Sequence, residues 1–152
     1  MTAEHFLQDD FRVLTPEAFD FVLTNELKRA VRSQNFLTLV LMDPRGERQD
    51  PEAGRAVARV VSREIRETDL LTANPQGRLS VVLLDADLES SRRVVERVMT
   101  RLEHYQFSTP VDIEVGLACC PTDAAEPGAL RRVAEADAES LRGPSRGTAS
   151  NA

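Results

Sequence analysis

No apolar run in this chain of 152 residues approaches the roughly 18 residues that a membrane-crossing helix needs, so no membrane partner is expected. Positive charge is in deficit. Nineteen Lys and Arg stand against 25 Asp and Glu, and the formal charge of −6 argues against a nucleic-acid backbone or an anionic membrane as the main partner. A local basic cluster can still serve a small anionic ligand. Cysteine is limited to Cys119 and Cys120, whose adjacent side chains would point to opposite faces of a strand and make poor disulfide partners. Reduced thiols and a cytoplasmic location are therefore expected. The two histidines, His5 and His104, have no ligand spacing to either cysteine, so a Cys/His metal site is not expected. The start, Met1-Thr2-Ala3-Glu4-His5, lacks the basic and apolar regions of a secretory signal. Internal repeats and low-complexity linkers are also missing. With 41% apolar and 29% charged residues, what remains is an ordinary composition for one domain with a proper core.

The apolar spacing gives that domain an order of elements. Thr15-Pro16 is a helix start, and Phe19, Val22, Leu23, Leu27 and Ala30 recur at helical spacing behind it. Phe36 to Met42 reads as a buried strand, stopped by a turn at Asp43-Pro44-Arg45-Gly46. Pro51 opens a second helix carrying Val57, Val60, Val61 and Ile65 on one face. Leu70–Ala73 and Leu79–Leu84 bracket Asn-Pro-Gln-Gly as a hairpin. Asp87 caps a third helix with Leu88, Val94, Val95, Val98 and Leu102 inward, and residues 111–119 alternate as another strand. Leu130, Val133 and Ala136 mark a last helix, and residues 143–152 read as a frayed tail. Phe6, Phe11 and Phe19 are expected in packing rather than as a base-stacking platform. Helix, β-α-β-β-α-β, helix is the order of a ferredoxin-like split βαβ unit: an α+β fold whose antiparallel sheet carries the unit's helices on one face and is flanked by the others.

Several local marks then coincide. Leu14-Thr15, the strand Leu39-Val40-Leu41-Met42-Asp43, the strand Glu114-Val115-Gly116-Leu117-Ala118 and the pair Ala136-Asp137 follow in an order that resembles the GGDEF family of diguanylate cyclases. The resemblance covers roughly residues 12–147, with 1–11 as an N-terminal extension and 148–152 as a disordered tail. It implies the nucleotidyl-cyclase version of the βαββαβ core. Arg66-Glu67-Thr68-Asp69 fills the place of the family's Arg-x-x-Asp inhibitory motif.

The same resemblance implies that catalysis is gone. Where the family has Gly-Gly-Asp/Glu-Glu-Phe, this chain has Pro75-Gln76-Gly77-Arg78-Leu79, and only the last, apolar position is respected. The family's reaction needs two carboxylates around divalent metal to neutralise a triphosphate while a ribose hydroxyl attacks. Asp43 could supply one, but Gly77 and Arg78 stand where the other should be, and a guanidinium there repels a metal. The two signature glycines are Pro75 and Gln76, and proline also removes an amide donor. The segment after Asp43 lacks the Phe-Lys and Asn-Asp landmarks, the Gly-Leu-x-Asn-Arg expected after Leu14-Thr15 is missing, and the late lysine falls on Pro144. Asp43 is accordingly read as a turn initiator and at most a vestigial metal candidate, with no metal or other cofactor required.

The resemblance also implies a ligand. Cyclic di-GMP presents guanines and phosphates, which arginines recognise by forking onto acceptors and stacking on bases. A carboxylate can accept from the guanine N1–H and amine. Arg66 and Asp69 are expected at the end of the second helix, with Arg97 on the helix after the hairpin completing the site. Arg93, Arg97 and Arg101 run at i, i+4, i+8 as a basic stripe, so Arg93 and Arg101 join as further candidates. The expectation is a non-catalytic cyclic di-GMP receptor that signals through a protein partner, with a homodimer as one arrangement. A ligand-free dimerisation or docking module is the alternative, supported by the lack of a recognisable sensor or output domain. A residual cyclase or nucleotide-binding subunit using Asp43 is the third.

Overall fold

Backbone capping and apolar periodicity together set the elements of the computed structural model, which describes residues 7–8, 13–46, 51–105 and 111–141. Short strands β1 (Leu7–Gln8) and β2 (Val13–Leu14) precede helix α1 (Pro16–Ser33). The Thr15 hydroxyl accepts from the Ala18 N–H, and Pro16 sits in the first turn, where its missing donor is no loss. Gln34 ends α1 in the left-handed region at φ 57°, and the Asn35 N–H reaches back to the Ala30 carbonyl. Then follow β3 (Leu37–Gly46), α2 (Pro51–Glu64), β4 (Leu70–Ala73), β5 (Leu79–Leu84), α3 (Leu88–Glu103), β6 (Val111–Cys120) and α4 (Pro127–Leu141). Asp87 caps α3 as expected. Its carboxylate accepts from the Ser90 N–H at 2.8 Å, and that bond holds the carboxyl below its ordinary pKa.

The sheet runs β1-β2-β4-β5-β3-β6. The four strands β4-β5-β3-β6 pair antiparallel with one another, the order of a ferredoxin-like unit. The sheet as a whole is mixed, because β2 pairs parallel to β4 through Leu14 and Thr72, and the Thr72 hydroxyl donates to the Leu14 carbonyl. On one face, Val40, Met42, Val81 and Leu83 pack against Val57 and Val61 of α2 and Val98 and Leu102 of α3. On the other, Leu37, Leu39, Leu41 and Val82 meet Phe19, Leu23 and Leu27 of α1 and Leu130 and Ala134 of α4. The unit's own helices thus share one face, and α1 and α4 cover the other. Phe19 is fully buried, while Phe6, Phe11, the tail and most of the N-terminal extension lie outside the described residues.

Two expectations need correcting. Asp43-Pro44-Arg45-Gly46 is not a turn but the second half of β3, paired residue by residue with β6 from Asp43–Glu114 to Gly46–Val111. β5 stops at Leu79, opposite Met42, so β3 becomes an edge on that side, where a strand tolerates proline. Ladder pairing with β6 overrides the local turn preference. In α4 the buried stripe is Leu130, Ala134 and Ala138, with Val133 half-buried and Ala136 exposed. Both cysteines are free and buried at the end of β6, and burial pushes the Cys120 thiol up, away from the reactive thiolate.

The hairpin is built by Asn74. Its side-chain oxygen accepts from the N–H groups of Gln76 and Arg78 at 3.0 and 2.9 Å, and its carbonyl accepts from Gly77. Gly77 has φ +87°, a left-handed conformation that a side chain resists. Gly77→Ala is expected to cost about 1 kcal/mol, measurable by urea denaturation, with the far-UV spectrum unchanged.

Candidate functional site

The end of α2 and the turn after it carry the arginine-rich site. The helix stops at Glu64, earlier than its apolar pattern suggests, so Arg66 and Asp69 lie in a turn and not on the helix itself. The Asp69 N–H closes that turn onto the Arg66 carbonyl at 2.9 Å. The Asp69 carboxylate then joins two parts of the backbone. One carboxylate oxygen accepts from the Arg66 N–H at 2.9 Å, and the other accepts from the Leu84 N–H at the end of β5 at 3.0 Å. Its side chain is only 2% exposed, whereas that of Arg66 is 62% exposed. The Arg66 guanidinium lies 3.8 Å from Asp69 Oδ2 through Nε, and Nη2 donates to the Leu84 carbonyl at 2.6 Å. The carboxylate is thus spent on geometry, and the guanidinium is displayed at the surface.

Arg97 reaches the same place from α3. Its Nη2 donates to the Glu64 carbonyl at 3.3 Å, and its Nε lies 3.5 Å from Glu64 Oε1. Arg101 Nε lies 3.5 Å from the other oxygen of Glu64. Arg93, one turn earlier, pairs with Glu89 at 3.0 Å on the exposed side of α3. Arg93, Arg97 and Arg101 line one open groove of about 690 Å³, together with Glu64, Thr100 and His104. The structure therefore brings Arg66 and Arg97 to one helix end and places Arg93 and Arg101 along a groove beside it. Glu64 was not singled out from sequence. It stands two residues before Arg66 and holds two of the stripe's arginines, but a glutamate in the last turn of a helix gives no signal of its own.

The hairpin end of the sheet is built differently. Asp43 on β3 meets Arg78, at the residue before β5, at 3.3 Å, a pair with side chains 20% and 39% exposed. Nearby, Arg131 of α4 donates to the Ser80 hydroxyl and pairs with Asp20 of α1, both at 3.4 Å. These residues do not fit a divalent ion. The one carboxylate in the expected place already faces a guanidinium, and no group of three or more metal-ligating side chains occurs among the described residues. Among the described residues, no helix is long and apolar enough to cross a membrane.

No family model and no curated protein matches this sequence. Solved structures do match it in shape. The GGDEF domain of YfiN (TpbB) from Pseudomonas aeruginosa superposes with a TM-score of 0.74 at 16% identity, over 88% of this chain and 87% of that one. The GGDEF domain of FimX from the same organism gives 0.73 at 14% identity, over 88% and 91%. The GGDEF domain of DgcB from Caulobacter crescentus, solved in complex with cyclic di-GMP, gives 0.72 at 10% identity, over 93% and 92%. The chain therefore has the GGDEF-type α+β fold.

Proposed function

We propose that this chain is a non-catalytic receptor for cyclic di-GMP, binding the dinucleotide through Arg66 and Arg97 and passing the signal to a protein partner. The observation that carries this reading is the display of two exposed guanidinium groups from different elements around the C-terminal end of α2, Arg97 on the Glu64 carbonyl and Arg66 in the turn two residues later, on the Leu84 carbonyl. A helix C-terminus is a poor place for an anion, since its carbonyls carry negative partial charge. Guanidinium groups placed over it reverse the local sign. Asp69 acts as the positioning residue: by tying the Arg66 and Leu84 amides it fixes the turn that presents Arg66. Arg93 and Arg101 extend the basic surface along the adjoining groove, where a second guanine or a second dinucleotide would lie.

Ligand must replace the contacts these arginines already make, to Glu64 and to the Glu64 and Leu84 carbonyls. The guanidinium ends of these contacts are exposed while Glu64 is only 14% exposed, and a phosphate offers charge-assisted bonds to replace them. Signalling then requires that the ligand favour one arrangement of the chain with its partner, or with a second copy, over another. Catalysis finds no support at the hairpin, where Pro75, Gln76, Gly77 and Arg78 stand in place of the glycines and acids that the reaction uses.

The carbonyl contacts of Arg66 and Arg97 also favour a second reading. Both arginines cap backbone groups, and Asp69 is wholly occupied within the fold, so the motif could serve architecture alone in a ligand-free interaction module. Native mass spectrometry separates the two. Protein purified from cells that make cyclic di-GMP is expected to carry one or two dinucleotides, and Arg97→Ala protein is expected to lose most of them. Ligand-free spectra for both proteins, unchanged on adding dinucleotide, would favour the module.

A further inference from the structure

We propose that Arg78 is a built-in counter-cation for Asp43, taking over the electrostatic task of a divalent metal and bracing the hairpin to the sheet without one. The geometry at this end of the molecule carries the inference. Asp43 falls on the stretch of β3 that extends past the end of β5, and Arg78 stands just before β5 begins, so their 3.3 Å contact bridges the hairpin base to the extended strand. Along β3, Leu39 and Leu41 face α1 and α4, and the alternation of a strand puts Asp43 on that same side. The same alternation along β5 puts Arg78 with Ser80 and Val82. A second guanidinium, that of Arg131, ties Ser80 to Asp20 on this face. Two fixed cations thus serve a polar region in which Asp43 lies opposite a second carboxylate, the buried Glu114 of β6.

The hairpin tip is held from the other side as well. A Cβ at Gly54 of α2 would lie 3.1 Å from the Gly77 Cα and 3.3 Å from its carbonyl oxygen, so helix and tip touch backbone to backbone. Together, the tip contact and the ion pair hold the hairpin at both its end and its base. A cation supplied by the chain does not depend on metal supply, and it raises the cost of bringing a metal to Asp43 by direct charge repulsion.

Manganese(II) binding, followed by electron paramagnetic resonance on the whole chain, tests this. The wild-type protein is expected to bind Mn²⁺ no better than Asp43→Asn protein does. Arg78→Glu, which places a second carboxylate beside Asp43, is expected to bind it at least about tenfold more tightly, and adding Asp43→Asn is expected to abolish the gain. Wild-type binding that Asp43→Asn removes would overturn the proposal, as would an Arg78→Glu protein with no gain. A double-mutant cycle with Asp43→Asn and Arg78→Met in urea, read alongside, covers the case of a poorly folded Arg78→Glu protein. The double mutant is expected to be no less stable than either single one, and fully additive losses would count against the pair.

Discussion

Gly116→Ala is expected to produce the largest loss of stability of any single-atom change in this chain, about 3 kcal/mol, at the upper end of what overpacking costs. The added methyl would run into the Ala134 carbonyl oxygen and lie 2.8 Å from both the Ala138 Cβ and its backbone nitrogen. None of these is the far end of a flexible side chain, so relief requires moving α4 away from β6. Leu130 and Ala134 on the inner face of that helix are fully buried, and the Asp137 carboxylate accepts from the Leu117 N–H at 2.9 Å. Displacement therefore weakens one of the two cores and a partly buried hydrogen bond together. For a domain of this size such a loss corresponds to a fall in Tm of about 6–12 °C. Calorimetry or a urea melt checks it, and a change within about 1 °C would mean that α4 is held less closely than the structure has it.

Asp69→Ala comes second, at about 2–4 kcal/mol. It strips the partner from two backbone N–H groups, of Arg66 and Leu84, at a cost of about 1–3 kcal/mol for each amide left unsatisfied. Asp69→Asn is expected to be intermediate, since its one oxygen can serve either amide but its NH₂ then faces the other. Both substitutions also free the turn that holds Arg66, so dinucleotide affinity is expected to fall with them. Arg66→Ala separates the two effects. It leaves the Asp69 bonds to both amides intact but takes the guanidinium from a buried carboxylate and from the Leu84 carbonyl, so its cost in urea is expected to be about 1–2 kcal/mol, below that of Asp69→Ala.

The sequence made the fold legible where local chemistry and tertiary contacts agree. Thr15-Pro16 and Asp87 cap their helices as hydroxyl and carboxylate caps should, and the near-continuous apolar run Leu79–Leu84 matches its two-sided burial. It misled where distant pairing overrides local preference. Asp-Pro-Arg-Gly has every mark of a turn, yet β6 supplies a continuous ladder opposite it, and nothing within ten residues reveals that partner. The site was legible by identity more than by role. Arg66 and Asp69 stand just past the end of α2 and Arg97 reaches that helix end from α3, but only the structure gives Asp69 to two backbone amides and Glu64 to two arginines. The pairing of Asp43 with Arg78 and of Asp20 with Arg131 joins residues far apart in the chain, beyond the reach of any spacing rule.

Titration of cyclic di-GMP into the purified protein by calorimetry, with Arg66→Ala beside it, bears most directly on the receptor reading. Micromolar or tighter binding is expected for the wild type, with a loss of about a hundredfold on Arg66→Ala, the worth of a charge-assisted contact of about 3 kcal/mol. No binding by the wild type at high dinucleotide concentration, or equal binding by both proteins, would contradict it and leave Arg66 and Asp69 as parts of the architecture alone.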